Sequence, residues 1–336
     1  MIKADLYETD VQNQVICRLC AHQCRLPEGS TGICRVRKNV AGVLYSLNSD
    51  HVVAMHLDPI EKKPLYHFLP GATTFSIAAM GCNFSCRFCQ NYSISMVTNE
   101  QEISGESVSP EQLVQFALQN RASSISYTYT EPTVFFELML ETARLAHQHG
   151  IKNIMVSNGY MSRWALSQLE PFIDAANIDL KAFSEKFYKK YCRARLQPVL
   201  ETIAAIQAGA IWLEITTLLI PGLNDDREEI KRLIEFLLGL DDQLPWHVSR
   251  YFPQYQMQHI PATATESIHG FLDLGSEMGL KYLYGGNMAI DSWNDTHCPN
   301  CKGKLIRRQG YHSEILALQA GNCQFCGQPI AGIWQS

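Results

Sequence analysis

Three cysteines, Cys82, Cys86 and Cys89, share one C-x3-C-x2-C loop, Gly81-Cys82-Asn83-Phe84-Ser85-Cys86-Arg87-Phe88-Cys89-Gln90-Asn91, directly after an apolar run at Phe75–Met80. A [4Fe–4S] cluster ordinarily takes four thiolates. No further cysteine follows before Cys192, so the loop predicts a cluster with one iron left open, and an open iron is a place for chemistry. The competing reading is a three-cysteine zinc knuckle or a set of buried thiols.

Two more cysteine groups flank this loop. Cys17-x2-Cys20-x3-Cys24-x9-Cys34 brings four thiolates together among His22, Pro27, Gly29 and Gly32. A segment this short cannot build a core alone and below about 40 residues usually needs a metal or a crosslink. It is read as a four-thiolate site for zinc or for a second Fe–S cluster, zinc being preferred. Near the other end, Cys298-x2-Cys301 and Cys323-x2-Cys326 form two paired-cysteine knuckles of the zinc-ribbon or rubredoxin type, for which structural zinc is preferred over iron. Residues Arg307, Arg308, Tyr311 and His312 make this ribbon mildly basic, which leaves nucleic-acid binding open as the weaker reading. Cys192, in the basic, aromatic stretch Lys186–Arg195, is read as a packed thiol.

Composition sets the frame. The 336 residues are 46% hydrophobic and 18% charged, with a formal net charge of −5. That balance describes an ordinary globular chain with no general attraction to nucleic acid or anionic membrane. No transmembrane run is visible, and Met1–Asp10 lacks an apolar signal core. A cytoplasmic setting is therefore expected, where twelve cysteines argue for metal rather than disulfides.

The elements that must hold these residues alternate. Strand-like runs at 75–80, 124–130, 152–157, 176–181, 211–219, 247–251 and 281–285 are separated by helix-like spans such as Pro110–Gln119, Thr133–His149, Arg163–Leu169, Val199–Ala208 and Asp226–Leu238. Alternation of this kind implies a parallel sheet, here an α/β fold closed into a partial or full TIM-like (β/α) barrel with its site at the C-terminal strand ends. Residues 1–70 are read as the four-cysteine module with an entry segment, 71–290 as the barrel and 291–336 as the zinc-ribbon-like module. Two prolines and mixed charge exclude a long helix in the entry stretch Asp58–His67.

The unusual polar motifs fall at the predicted strand ends. They are Tyr127-Thr128-Tyr129-Thr130-Glu131-Pro132-Thr133, Ser157-Asn158-Gly159-Tyr160, Asp179-Leu180-Lys181, Ile220-Pro221-Gly222-Leu223-Asn224-Asp225 and His247-Val248-Ser249-Arg250-Tyr251-Phe252-Pro253. Together with the cysteine loop, this series resembles the radical S-adenosylmethionine (radical SAM) superfamily, and within it the AmmeMemoRadiSam-system enzymes, relatives of pyruvate formate-lyase activating enzyme. The resemblance implies that Cys82, Cys86 and Cys89 bind a [4Fe–4S] cluster whose open iron chelates S-adenosylmethionine, and that Phe88 packs near the adenine. It places Asp179 and Lys181 at the methionine end and His247 beside the nucleoside. Glu131 takes the place where relatives carry a Gly-Gly-Glu element, here Thr-Glu-Pro, and Asn158 joins the same set of strand-end contacts. Charge agrees in kind, since the cofactor presents a cationic amine and an anionic carboxylate that Glu131, Asp179 and Lys181 complement.

The expected activity is reductive cleavage of S-adenosylmethionine to a 5′-deoxyadenosyl radical that takes hydrogen from an unidentified substrate. The resemblance adds AMMECR-type and Memo-type partner proteins and an electron donor such as flavodoxin or ferredoxin. The alternatives are activation of a glycyl-radical enzyme and, in a different class, a multi-cluster electron carrier or zinc-ribbon binding protein without this chemistry. A carrier would need no barrel whose strand ends carry Glu131, Asn158, Asp179, Lys181 and His247.

Overall fold

The computed structural model describes residues 1–288 and 292–335. Its centre is an eight-stranded sheet whose spatial order follows the chain: β1 (Ala54–Pro59), β2 (Thr73–Ala78), β3 (Ser124–Tyr127), β4 (Lys152–Ser157), β5 (Ala175–Asp179), β6 (Trp212–Leu219), β7 (Trp246–Arg250) and β8 (Leu283–Gly286). Strands β2 to β8 are parallel, and β1 pairs antiparallel with β2. Each parallel step is joined by a helix, as right-handed crossovers require: Pro110–Gln119, Phe136–Gln148, Arg163–Leu169, Gln197–Gln207, Arg227–Leu240 and Thr265–Met278. The helix starts are written locally. Ser109 and Gln112 form a capping box ahead of Pro110, while Ser162 and Asp226 accept from Ala165 N and Glu229 N. The expected α/β partial TIM-like barrel is the fold found.

Two boundaries move. The entry segment expected to belong to the first module supplies β1 and then fills the barrel: Ile60, Lys63, Leu65, His67 and Phe68 are fully or almost fully buried. Pro64 O accepts from Asn177 Nδ2 of β5 at 2.7 Å, and the backbone NH groups of Tyr66 and His67 donate to Glu214 of β6 at 3.0 and 2.8 Å. The 290/291 boundary lies outside the described residues. Strand β3 ends at Tyr127 rather than 130, because Tyr129 takes a left-handed backbone (φ 63°) that turns the chain out of the ladder.

The ribbon closes the barrel's lower end. Leu69 N donates to Ile333 O at 2.8 Å and Ile333 N to His67 O at 2.7 Å. Arg308 is buried, donating to Tyr66 O at 2.7 Å and Thr296 Oγ1 at 2.8 Å and stacking 4.1 Å over the Tyr66 ring. That withdraws Arg308 from the basic surface expected on the ribbon, and Arg307 is paired with Glu314. At the opposite end the N-terminal module, two small three-stranded sheets, packs on the loop after β2. There Gly81 (φ +107°) has no room for a side chain, since a Cβ would lie 2.7 Å from Val36 Cγ1. Among the described residues, no helix is long and apolar enough to cross a membrane.

Candidate active site

The strand ends enclose one cavity of about 580 Å³, within the range of small-molecule sites. Its wall holds Cys82, Cys86, Cys89 and Phe88 from the loop after β2, Glu131, Asn158, Asp179 and Lys181 from the following strand ends, and Thr216, Ser249 and Asn287. Every residue expected to hold the cluster or touch S-adenosylmethionine meets there except His247, whereas the strand-end motif Ile220–Asp225 does not line the cavity.

His247 sits one layer too deep. Along β7 it and Ser249 face the same way, but His247 is two residues nearer the strand's start, some 6–7 Å lower. Ser249 therefore lines the cavity while His247 Nε2 bonds Glu214 Oε2 at 2.6 Å among the Tyr66 and Tyr284 rings. The same layering puts Glu214 below Thr216 on β6 and Asn177 below Asp179 on β5. Four donors converge on Glu214, which stays ionised below the usual carboxylate range: burial opposes the charge, but His247, His67 and the Tyr66 amide outweigh it.

In the cavity the charges are arranged in pairs. Lys181 Nζ lies 2.9 Å from Asp179 Oδ2. Burial disfavours the ammonium, yet the Asp179 carboxylate, and Cys86 and Cys192 where they carry negative charge as thiolates, hold Lys181 well above its ordinary value. Glu131 is almost fully buried; Oε1 accepts from Thr133 N, Thr133 Oγ1 and Ser157 Oγ, while Oε2 accepts only from Asn158 N at 2.8 Å and keeps a free lone pair. It pins two strand ends together and can accept one more donor, although burial pushes its pKa up.

The loop itself is built to receive a partner. Asn158 Nδ2 donates to Asn83 Oδ1 at 2.7 Å and reaches Cys82 Sγ at 3.7 Å. Asn83 Nδ2 is buried without a partner, as is Thr216 Oγ1 on the cavity wall. Orphaned buried donors of this kind call for an acceptor, and an anionic sulfide-bearing cluster and a polar cofactor supply one. Burial raises the Cys82 and Cys89 thiols, Cys89 to about 11, so metal binding must displace their protons. The three thiolates fit a cluster that takes one cysteine per iron.

Four features were not legible as site residues. Cys192 is indeed packed, but against the cluster loop: its thiol bonds that of Cys86 and lowers it, and residues 191–192 accept from Arg87 N and Ser85 N at 3.0 Å each. The segment Tyr188–Cys192 is a π-helix, a form common at functional sites. Lys62, Lys63 and Tyr129 line the cavity around Asp58. Lys63 Nζ reaches Asp58 Oδ2 at 2.7 Å and Lys62 Nζ reaches Oδ1 at 2.8 Å, with the Tyr129 hydroxyl donating to the same carboxylate. Burial pushes Lys63 down to about 8 against the pull of Asp58. Asn91 Nδ2 ties the loop to Tyr129 O at 2.6 Å. The one signal in the sequence was two lysines between two prolines, flanked by apolar residues.

The C-terminal four behave differently. Ligand atoms of Cys298, Cys301, Cys323 and Cys326 all lie within 4.8 Å of one another, with Cys298–Cys326 and Cys301–Cys323 sulfurs 3.6 and 3.7 Å apart. Thiolates on one tetrahedral zinc, at about 2.3 Å from the metal, stand roughly 3.8 Å apart. Among the described residues no other set is gathered so tightly. In the N-terminal module, Cys24 and Cys34 sulfurs flank Gly32, and the buried Arg37 guanidinium faces Cys17 and Cys34.

A family model described as the radical SAM superfamily matches residues 77–237. An uncharacterized protein of Methanocaldococcus jannaschii is 40% identical over 333 residues, covering 98% of this chain and 99% of its own. A second from that organism is 23% identical over 283 residues, covering 80% and 76%. Among solved structures, a radical SAM methyltransferase from Sphaerobacter thermophilus gives a TM-score of 0.52 at 17% identity, covering 65% of this chain and 67% of that one. Streptococcus suis SuiB gives 0.51 at 14%, covering 68% and 52%; both are likenesses of fold. With its three-thiolate loop opening on the barrel mouth and its match to the family model, the chain carries a radical SAM superfamily domain over residues 77–237.

Proposed function

We propose that this protein uses a [4Fe–4S] cluster held by Cys82, Cys86 and Cys89, with S-adenosylmethionine, to take a hydrogen atom from a substrate bound at the barrel mouth. The observation that carries this reading is a single cavity holding three thiolates, a buried carboxylate with a free lone pair and a partly buried lysine. When bound, the cluster and S-adenosylmethionine supply reductive cleavage to a 5′-deoxyadenosyl radical. The chain's own residues do the rest. Lys181 matches a carboxylate and Glu131 an ammonium, each by a charge-assisted hydrogen bond. Phe88 offers a buried ring face, and Asn158 fixes Asn83 beside Cys82. Lys62 and Lys63 outnumber Asp58 on the same wall, which suits a substrate carrying an anionic group.

The ribbon is proposed to hold a structural zinc ion and the N-terminal four cysteines a zinc ion or a second Fe–S cluster. AMMECR-type and Memo-type proteins as substrate or co-catalyst belong to the same proposal and rest on sequence resemblance; a cytoplasmic setting is proposed with them. Activation of a glycyl-radical enzyme is the second reading, and no cavity residue favours it.

Anaerobically reconstituted protein incubated with dithionite and S-adenosylmethionine should release 5′-deoxyadenosine, and a Cys86→Ala variant should not. Equal yields from the two proteins would overturn the proposal.

A further inference from the structure

Beside the cluster loop lies a second, smaller recess of about 180 Å³, which shares Cys82, Phe84, Ser95 and Met96 with the wall of the main cavity. It is lined at once by Cys34 of the N-terminal module and Cys82 of the cluster loop, so thiolates of both candidate metal centres border one opening. Three exposed arginines stand around it, Arg35, Arg87 and Arg193, and no carboxylate lines it. Among the described residues none of the three guanidinium groups makes an ion pair. Arg35 Nη1 donates instead to Val97 O at 2.9 Å. Arg35 and Arg193 hold left-handed backbones (φ 61° and 55°), conformations that persist only where surrounding structure fixes them. Ile33, 51% exposed, gives the recess an apolar contact point.

This patch runs against the chain's formal net charge of −5. A locally cationic opening on an anionic protein steers an anionic partner to that face and away from the rest of the surface. Resting on the function proposed above, we infer that the recess is the electron-entry port, docking an acidic one-electron donor protein over Arg35, Arg87 and Arg193. One electron leaves the donor and is taken up by the metal centre at Cys82, Cys86 and Cys89; no atom or proton is transferred. The module carrying Cys34 is thereby given a place in the reaction. It builds one wall of the port and is seated on the loop by His22, whose Nε2 lies 2.8 Å from Asn83 O.

The test uses reconstituted full-length protein and an acidic plant-type [2Fe–2S] ferredoxin. Affinity is measured by calorimetry, and reduction of the iron centre by anaerobic stopped flow, at low and high ionic strength. An Arg35→Glu/Arg193→Glu variant should bind the ferredoxin and accept its electron about tenfold more weakly and slowly than wild type at low salt. The two should converge at high salt, and reduction by dithionite, which is small and needs no docking, should be equal. If the charge reversal disturbs iron loading, Arg35→Gln/Arg193→Gln keeps the question open to an answer, with a smaller slowing expected. Wild-type affinity and rate in both variants, or salt-independent reduction of wild type, would overturn the port. That failure is separable from the function, because 5′-deoxyadenosine formation with dithionite would then survive.

Discussion

Two thiolate sites stand at opposite ends of one barrel and differ in every respect that matters to chemistry. At the mouth, three cysteines share a cavity of about 580 Å³ with Glu131, Asp179 and Lys181. At the floor, four cysteines close to within 4.8 Å on the ribbon. Structural metal sites are closed by protein ligands and catalytic ones keep a position open, and the surroundings follow that division. The ribbon's neighbours are packing contacts, Arg308 on Tyr66 and Ile333 on the chain at His67 and Leu69. The mouth's neighbours are buried donors and acceptors with capacity left, Asn83 Nδ2, Thr216 Oγ1 and Glu131 Oε2. Number of cysteines alone does not separate the two roles; what lies beside them does.

The largest effect expected from breaking this division is on stability. Cys323→Ser should remove the ribbon's metal and lower the melting temperature on the order of 10 °C, since structural metal binding is folding free energy. Below the transition, 5′-deoxyadenosine formation per bound cluster should remain near wild type. A variant that stays fully stable but loses activity would reverse the roles assigned to the two sites.

Next in size is the pH response of the barrel floor. Burial pushes His67 down from 6.5 to about 4, so between those values the unfolded chain takes up a proton that the folded chain refuses. The contribution is present above pH 6.5 and lost as pH falls towards 4, about 3 kcal/mol in all. Urea unfolding across that window should show the loss, and His67→Asn should flatten it.

Smaller again is the effect on cofactor affinity. Lys181→Ala should weaken S-adenosylmethionine binding by about 1.5–3 kcal/mol, the scale of a hydrogen bond to a charged group, with iron content unchanged. Were Lys181 a solvated surface charge, the cost would stay below about 1 kcal/mol and fade with salt. His247→Asn, one layer below, should change that affinity less than about twofold while lowering stability, because it strips a hydrogen bond from buried Glu214. Equal losses from the two substitutions would collapse the distinction between mouth and floor.

The sequence made the parallel strands and most crossover helices legible, because each is a local pattern: an apolar run, a cap, a periodic stretch. The helix Thr265–Met278 went unread between two recognised strands, and it carries no side-chain cap at Ala264. Membership of β1 in the barrel was out of reach for another reason. Its antiparallel pairing with β2 spans a plug whose buried Lys63 reads as a surface residue until Asp58 is seen beside it. Depth along a strand was equally hidden. Period two says that His247 and Ser249 share a face, but only the register against β6 and β8 says which reaches the mouth. Cys192 failed for want of any neighbour in sequence; its partner Cys86 is brought to it by the π-helix turn.

The central claim is that the mouth, and not the ribbon or the N-terminal module, carries the cofactor. Electron paramagnetic resonance of the dithionite-reduced protein tests it most directly. With Cys17, Cys20, Cys24 and Cys34 replaced by serine, so that only the loop can hold a [4Fe–4S] cluster, adding S-adenosylmethionine should shift the reduced cluster signal, and Lys181→Ala should require more of it for the same shift. A signal that S-adenosylmethionine leaves unchanged, in a protein holding about four irons at Cys82, Cys86 and Cys89, would contradict the account.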